Sequence, residues 1–181
     1  MDNQEWILFN SQLPASPSSP RVKVWRRMRA AGAVSLQNGV WILPHSEERA
    51  AQAQELLTYV KEQGGSGQVF VVNSLTEHVE EDVRGQFESE RREEYAEFLE
   101  HCRDFLAELE RETREEKFTY GEMEESEANL DRLQKWLPKV QARDFMGHEL
   151  AETAVSQLHA CQQALETFTE AVYLRDENQP G

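Results

Sequence analysis

Ala33-Val34-Ser35-Leu36-Gln37-Asn38-Gly39-Val40-Trp41-Ile42-Leu43-Pro44 is the stretch on which the fold of the N-terminal part of this chain turns. Residues 33–36 and 39–43 are short apolar runs of strand length. Gln37-Asn38 lies between them, and Asn38-Gly39 is a hairpin signal. Pro44 ends the second run, because it has no N–H to give to a strand ladder.

Upstream, Trp6-Ile7-Leu8-Phe9 reads as a buried strand bounded by Asn10-Ser11, and Pro14 to Pro20 as a Pro/Ser-rich loop. Ser18 or Ser19 can cap a helix there, with Pro20 in the first turn, where its missing N–H costs nothing. Arg21 to Ala31 is that helix, with Val22, Trp25, Met28 and Val24 expected inward and Gly32 as its stop. Downstream, Ser46-Glu47-Glu48-Arg49 opens a helix reaching about Gln63, with Leu56, Leu57 and Val60 as its buried stripe. Gly64, Gly65 and Gly67 break it, and Val69 to Val72 is a last buried strand. The order is β-α-β-β-α-β, which predicts the split βαβ, or ferredoxin-like, arrangement.

After Thr76 the pattern changes period. Val83 to Glu116 is helical, with Tyr95, Phe98, Cys102, Phe105 and Leu109 at alternating spacings of three and four. Glu122 to Leu137 repeats this with Met123, Leu130, Leu133 and Leu137. His148 to Leu174 does so with Leu150, Ala154, Leu158, Cys161, Leu165, Phe168 and Val172. Breaks are expected near Tyr120-Gly121 and over Pro138 to Gly147, and the tail from Asn178 is expected to fray. The fold class is therefore α+β: a ferredoxin-like βαββαβ domain over residues 1–76, then an acidic three-helix bundle over residues 77–181.

Charge follows the same division. Residues 1–76 hold seven Lys/Arg against six Asp/Glu, whereas residues 77–181 hold twelve against twenty-eight, within a net charge of −15. The acidic part repels nucleic acid, so any contact with an anion falls to the first part or to a local patch that overcomes the global field. No stretch reaches the length of an apolar membrane span, and Met1-Asp2-Asn3-Gln4-Glu5 lacks the opening of a signal peptide, so the expectation is a cytoplasmic chain without a membrane partner. Cys102 and Cys161 stand far apart in sequence and outside any zinc-type spacing, and read as reduced, packed thiols.

Five cations, Arg21, Lys23, Arg26, Arg27 and Arg29, surround Trp25 in one helix. Guanidinium forks suit oxyanions and phosphates, so this helix is the candidate DNA- or oxyanion-binding element; a solvated face, or ion pairs with the acidic bundle, is the alternative. Arg143-Asp144-Phe145-Met146-Gly147, between two bundle helices, is read with Trp25 as a structural junction; Asp144 can cap the next helix, help a site or pair with an arginine of the first domain, and the last is expected, with Asp144 buried near Arg21, Arg26 or Arg29. Thr119 is a helix cap with Glu122 in the capping-box position. His101-Cys102 and His159-Cys161 converge if their helices pack together, though packing rather than metal binding is the expected reason. No GxSxG, P-loop or GxGxxG motif is present, and Asn10-Ser11-Gln12 replaces the carboxylates that a metal nuclease needs after its first strand. No enzyme, metal or cofactor is expected.

Trp6 to Pro14, Arg21-Val-Lys-Val-Trp-Arg-Arg-Met, Gly32-Ala-Val, Gly39-Val-Trp-Ile-Leu-Pro44, Phe118-Thr-Tyr-Gly-Glu-Met-Glu-Glu, Leu133 to Leu137 and Ala142-Arg-Asp-Phe-Met-Gly147 resemble the N-terminal region of the chromate-resistance regulator family, ChrB. The first part is similar, more distantly, to the middle domain of PaaX-type repressors. The resemblance implies a transcriptional regulator of a chromate-efflux operon with chromate as its signal. Family members commonly continue into a C-terminal domain, and this chain stops at Gly181. The partners implied are operator DNA, chromate, a separate polypeptide carrying the C-terminal domain, and a second copy in a homodimer. Two rival readings are an interaction module that binds no nucleic acid and an accessory chromate-handling factor using Cys102 or Cys161.

Overall fold

A computed structural model of the chain describes residues 4–177; the tail expected to fray, and Met1 to Asn3, lie outside the described residues. The chain divides into two compact units, Met1–Glu88 and Ser89–Gly181. The described residues form a four-stranded antiparallel sheet and five helices, a mixed α+β protein.

The first unit runs β1 (Trp6–Gln12), α1 (Ser19–Ala30), β2 (Val34–Gln37), β3 (Val40–Pro44), α2 (Glu47–Glu62), β4 (Ser66–Val72), in the sheet order β2-β3-β1-β4. The apolar run of β1 sits centrally, so both its neighbours can use its N–H and C=O groups. Ile7 lies opposite Leu43 and Val71, and Phe9 opposite Trp41 and Val69. That register puts Ile7, Phe9, Trp41 and Leu43 on one face, packed with Val24 and Met28 of α1 and Ala53, Leu56, Leu57 and Val60 of α2. Each large side chain buried there contributes about 1.5–3 kcal/mol. β1 and β4 extend further than their apolar cores suggest, through Asn10–Gln12 paired with Ser66–Gln68.

The opposite face of β1 explains why the first unit extends past Thr76. Trp6 is fully buried and stacks on Phe87 with ring centroids 5.4 Å apart. Its indole N–H donates to Glu80 Oε2 at 2.8 Å, which also accepts from Ser74 Oγ at 2.6 Å. Burial alone would raise the Glu80 carboxyl, but these donors and Arg84 hold it below its ordinary range. The helix that carries Glu80 and Phe87, α3 (Glu77–Arg114), therefore begins in the first unit, six residues before the expected Val83.

Three apolar stripes build the second unit from the remainder of α3, α4 (Tyr120–Gln141) and α5 (Leu150–Glu177). Tyr95, Phe98, Cys102, Phe105 and Leu109 meet Met123, Leu130, Leu133, Leu137 and Val140, and Ala154, Cys161, Leu165, Phe168 and Val172. Thr119 caps α4, its Oγ accepting from the Glu122 N–H at 3.3 Å. The reciprocal half of the expected capping box is not made, because the Thr119 N–H donates to Lys117 O. The break expected near Tyr120-Gly121 falls just before Tyr120, which opens α4, and Glu116 in it takes a positive φ of 54°. The break expected over Pro138 to Gly147 begins later: Pro138 lies inside α4, since Leu137 and Val140 on either side are buried and hold the last turn helical.

Candidate functional site

α1 begins with Pro20 in its first turn and ends at Gly32, whose φ of +75° lets the Ala33 N–H return to Met28 O. Its buried stripe is Pro20, Val24 and Met28, at i, i+4 and i+8. This corrects the expected inward set: Val22 and Trp25 are exposed, Trp25 by 55%. Once Pro20 supplies apolar surface as well as a helix start, the stripe rotates and Trp25 turns outward.

That rotation separates the five cations. Arg21, Trp25 and Arg29 again stand at i, i+4 and i+8, and all three line a groove of about 1010 Å³ in the first unit. Lys23 turns toward α2, its Nζ lying 4.0 Å over the Tyr59 ring. Arg27 lines a smaller cleft of about 310 Å³ with Arg49 and Leu56 of α2. Arg26 is exposed on the crest of the helix, between the two flanks. The structure thus brings Arg21 and Arg29 to one place and sends Lys23 and Arg27 to another.

The rest of the groove comes from two distant stretches. One wall is the polar end of β1, Asn10 to Gln12, and the other is the β2–β3 hairpin with Gln37, Asn38 and Trp41. Gly39 joins them. Its C=O accepts from the Ser11 N–H at 2.8 Å, its φ is +75°, and a Cβ at that position would stand 2.2 Å from Ser11 O. Asn38 has no positive φ, so the turn is not the mirror-image type with two left-handed residues; the register shifts between Ser35 and Gln37 instead. Arg21 also donates to Ala15 O at 2.6 Å, tying the Pro/Ser loop to α1. No Asp or Glu lines this groove among the described residues, although the chain carries a net charge of −15. Two guanidiniums, amide and hydroxyl side chains and two indoles leave it suited to an anion with flat or apolar parts. Asn10, Gln12 and Trp41 belong to it, and the sequence offered no periodic signal for them.

Asp144 and Arg143 work inside the second unit. Asp144 accepts from Tyr95 Oη at 3.0 Å and from the N–H groups of Gly147 at 3.0 Å and His148 at 2.9 Å. Burial and the Asp144 carboxylate push the Tyr95 phenol up, so it remains a neutral donor. Arg143 holds both oxygens of Glu94, at 3.1 and 3.2 Å, and Arg91 reaches the same carboxylate at 2.7 Å. The sequence expectation joined Asp144 to Arg21, Arg26 or Arg29; the partners described for it are Tyr95, Gly147 and His148. Of the roles open to it, closing the α4–α5 connection onto α3 accounts for both of its oxygens.

Cys102 and Cys161 do converge. Both are fully buried, and Cys161 Sγ donates to Cys102 O at 3.6 Å. Their neighbouring histidines do not join them: His101 is exposed beside the Trp136 ring, and His159 is exposed on α5.

A family model described as "Protein ChrB, N-terminal" matches residues 21–179. Protein ChrB of Cupriavidus metallidurans (strain ATCC 43123 / DSM 2839 / NBRC 102507 / CH34) is 32% identical over 94 residues, which is 52% of this chain and 28% of that protein's length. No solved structure matches.

Proposed function

This chain belongs to the ChrB N-terminal family, and on that premise we propose that it is a non-enzymatic, cytoplasmic regulator of chromate resistance whose first unit binds an anionic partner through α1. The partner proposed is operator DNA upstream of a chromate-efflux operon, with chromate as the signal. One observation carries this reading: Arg21, Trp25 and Arg29 stand in one stripe along a groove that no Asp or Glu lines among the described residues, in a chain that is acidic overall. A cation surface of this kind gains affinity by releasing counterions from phosphates, whereas the rest of the chain repels them. The element order and the strand order β2-β3-β1-β4 further support a ferredoxin-like first unit.

The concavity of the site favours a second reading, in which the groove holds chromate itself. Arg21 and Arg29 line the groove together with Trp41, while Arg26 stands on the exposed crest that a duplex would meet first. Fluorescence anisotropy with labelled DNA from upstream of the efflux operon, titrated with salt, tests the first reading. Arg21→Ala with Arg29→Ala is expected to weaken binding and to lower the salt slope by about two units. Absence of salt-dependent binding to any upstream fragment at low salt refutes DNA contact. Chromate binding by calorimetry that is abolished by the same pair would then assign the groove to the oxyanion.

A further inference from the structure

The second unit has a groove of its own, of about 520 Å³, between α3 and α4. Asp104, Glu108 and Glu112 of α3 line it at i, i+4 and i+8, facing Glu125, Arg132 and Trp136 of α4. Acidic side chains on a surface are ordinary in this chain, but Glu112 is not on the surface. Only 3% of it is exposed, and no donor reaches its Oε2. The groups facing it are the carboxylates of Glu108 on its own helix and Glu122 on α4, with Arg111 already paired to Glu108. Further along the groove stand His101, Asp104, Glu125 and Arg132. Burial first, and then Glu122 and Glu108, push the Glu112 carboxyl up to about 7. Arg111 also feels the Glu112 charge but is committed to Glu108; a buried carboxylate with no cation of its own is costly, and a cation brought by a ligand removes that cost.

The geometry selects the kind of cation. Among the described residues no group of three or more His, Cys, Asp or Glu could hold a metal ion. Carboxylates four residues apart on a helix rise about 6 Å per step, which suits ammonium groups separated by short methylene runs. Trp136, whose ring is held edge-on by Phe98 at 5.5 Å, offers an aromatic surface for those methylenes or for a charge. We propose that this groove binds an aliphatic polyammonium ion, with its ammonium groups along Asp104, Glu108 and Glu112 and its chain against Trp136.

Calorimetric titration of spermidine into the full chain at about 0.15 M NaCl, where diffuse attraction to an acidic surface is screened, tests this. The expected result is saturable one-site binding that tightens roughly tenfold between about pH 6 and 8 with release of a proton, read from two buffers of different ionisation enthalpy. Glu112→Gln removes the pH dependence and weakens binding about tenfold, and Glu125→Gln weakens it by a smaller factor. Glu110→Gln, the same charge change at an exposed α3 position outside the groove, leaves it unchanged; far-UV circular dichroism confirms each fold. Unsaturable binding, or equal losses in Glu112→Gln and Glu110→Gln, overturns the proposal. So does tighter binding of a neutral lysine-containing peptide, which assigns the groove to a partner's side chain, or stoichiometric displacement of spermidine by Mg²⁺.

Discussion

The two grooves of this molecule are built by opposite means. Among the described residues the first-unit groove collects cations and no Asp or Glu, and its shape depends on backbone meeting backbone where Gly39 crosses Ser11. The α3–α4 groove collects carboxylates around Glu112, and side chains on two helices make its shape. Both helical walls use the same i, i+4, i+8 spacing. Only the residue types along the stripe differ, so one local geometry presents opposite charges in the two grooves. What distinguishes the sites energetically is where the cost lies: in steric precision for the first, and in a buried charge for the second.

The largest single effect that follows from this contrast belongs to Gly39. Gly39→Val forces a side chain into positive φ and against a backbone oxygen that cannot swing away. It is expected to cost on the order of 3 kcal/mol or more in urea unfolding followed by tryptophan fluorescence, since Trp6, Trp25 and Trp41 all report on the first unit. Gly85→Ala, at a helical glycine with open space around it, should instead be neutral or stabilising, by up to about 1 kcal/mol. Equal losses at the two glycines would dissolve the distinction.

In the second unit, side chains carry the order. Asp144→Ala strands the Tyr95 hydroxyl and two N–H groups, at about 2–3 kcal/mol in thermal melting, and Asp144→Asn should cost less. A melting curve unchanged by Asp144→Ala would mean that this latch holds nothing. Glu112 adds a pH dependence with a definite sign. Its folded-state pKa of about 7 lies above the ordinary 4.5, so its contribution is fully favourable below about pH 4.5 and is lost as pH rises to about 7. Glu112→Gln should recover on the order of 2 kcal/mol at pH 8 and flatten the stability profile between those limits. A profile identical to that of the unsubstituted chain would place the titration elsewhere. The smallest stability effect is expected at Arg26, exposed on the crest of α1. Arg26→Ala should change unfolding by less than about 0.5 kcal/mol, and the salt slope of DNA binding by no more than about one unit. A larger loss of slope there than in Arg21→Ala with Arg29→Ala would move the contact from groove to crest.

Much of the architecture could be read from residues alone, because it rests on local chemistry. Ser46 and Thr119 cap where their positions say, and Gly32 stops α1. The apolar stripes of α3, α4 and α5 form one core. Trp25 misleads for an equally local reason: the spacing 22-25-28 is as helical as 20-24-28, and Pro20 is apolar surface as well as a helix start. Pro138 misleads because a proline near a helix end can be carried by buried neighbours. The first groove could not be seen as a site, since its walls come from three stretches joined only by the register of β1. Glu112 was one of thirty-four acidic residues, and nothing in its neighbours marks it as buried.

The phase of α1 has a consequence for which changes of length the chain can bear. Each residue advances a helix by about 100°. One residue inserted after Lys23 would carry Val24 and Met28 out of the core and Arg29 out of the groove together, so the apolar stripe and the cation stripe share one reading frame. The exposed loop over residues 14–18 has no such frame. Where it leaves the Arg21–Ala15 hydrogen bond in place, lengthening it costs the slow logarithmic growth of loop entropy, about 0.6 kcal/mol per doubling. Relatives should therefore differ in the length of that loop and keep the count from Pro20 to Arg29.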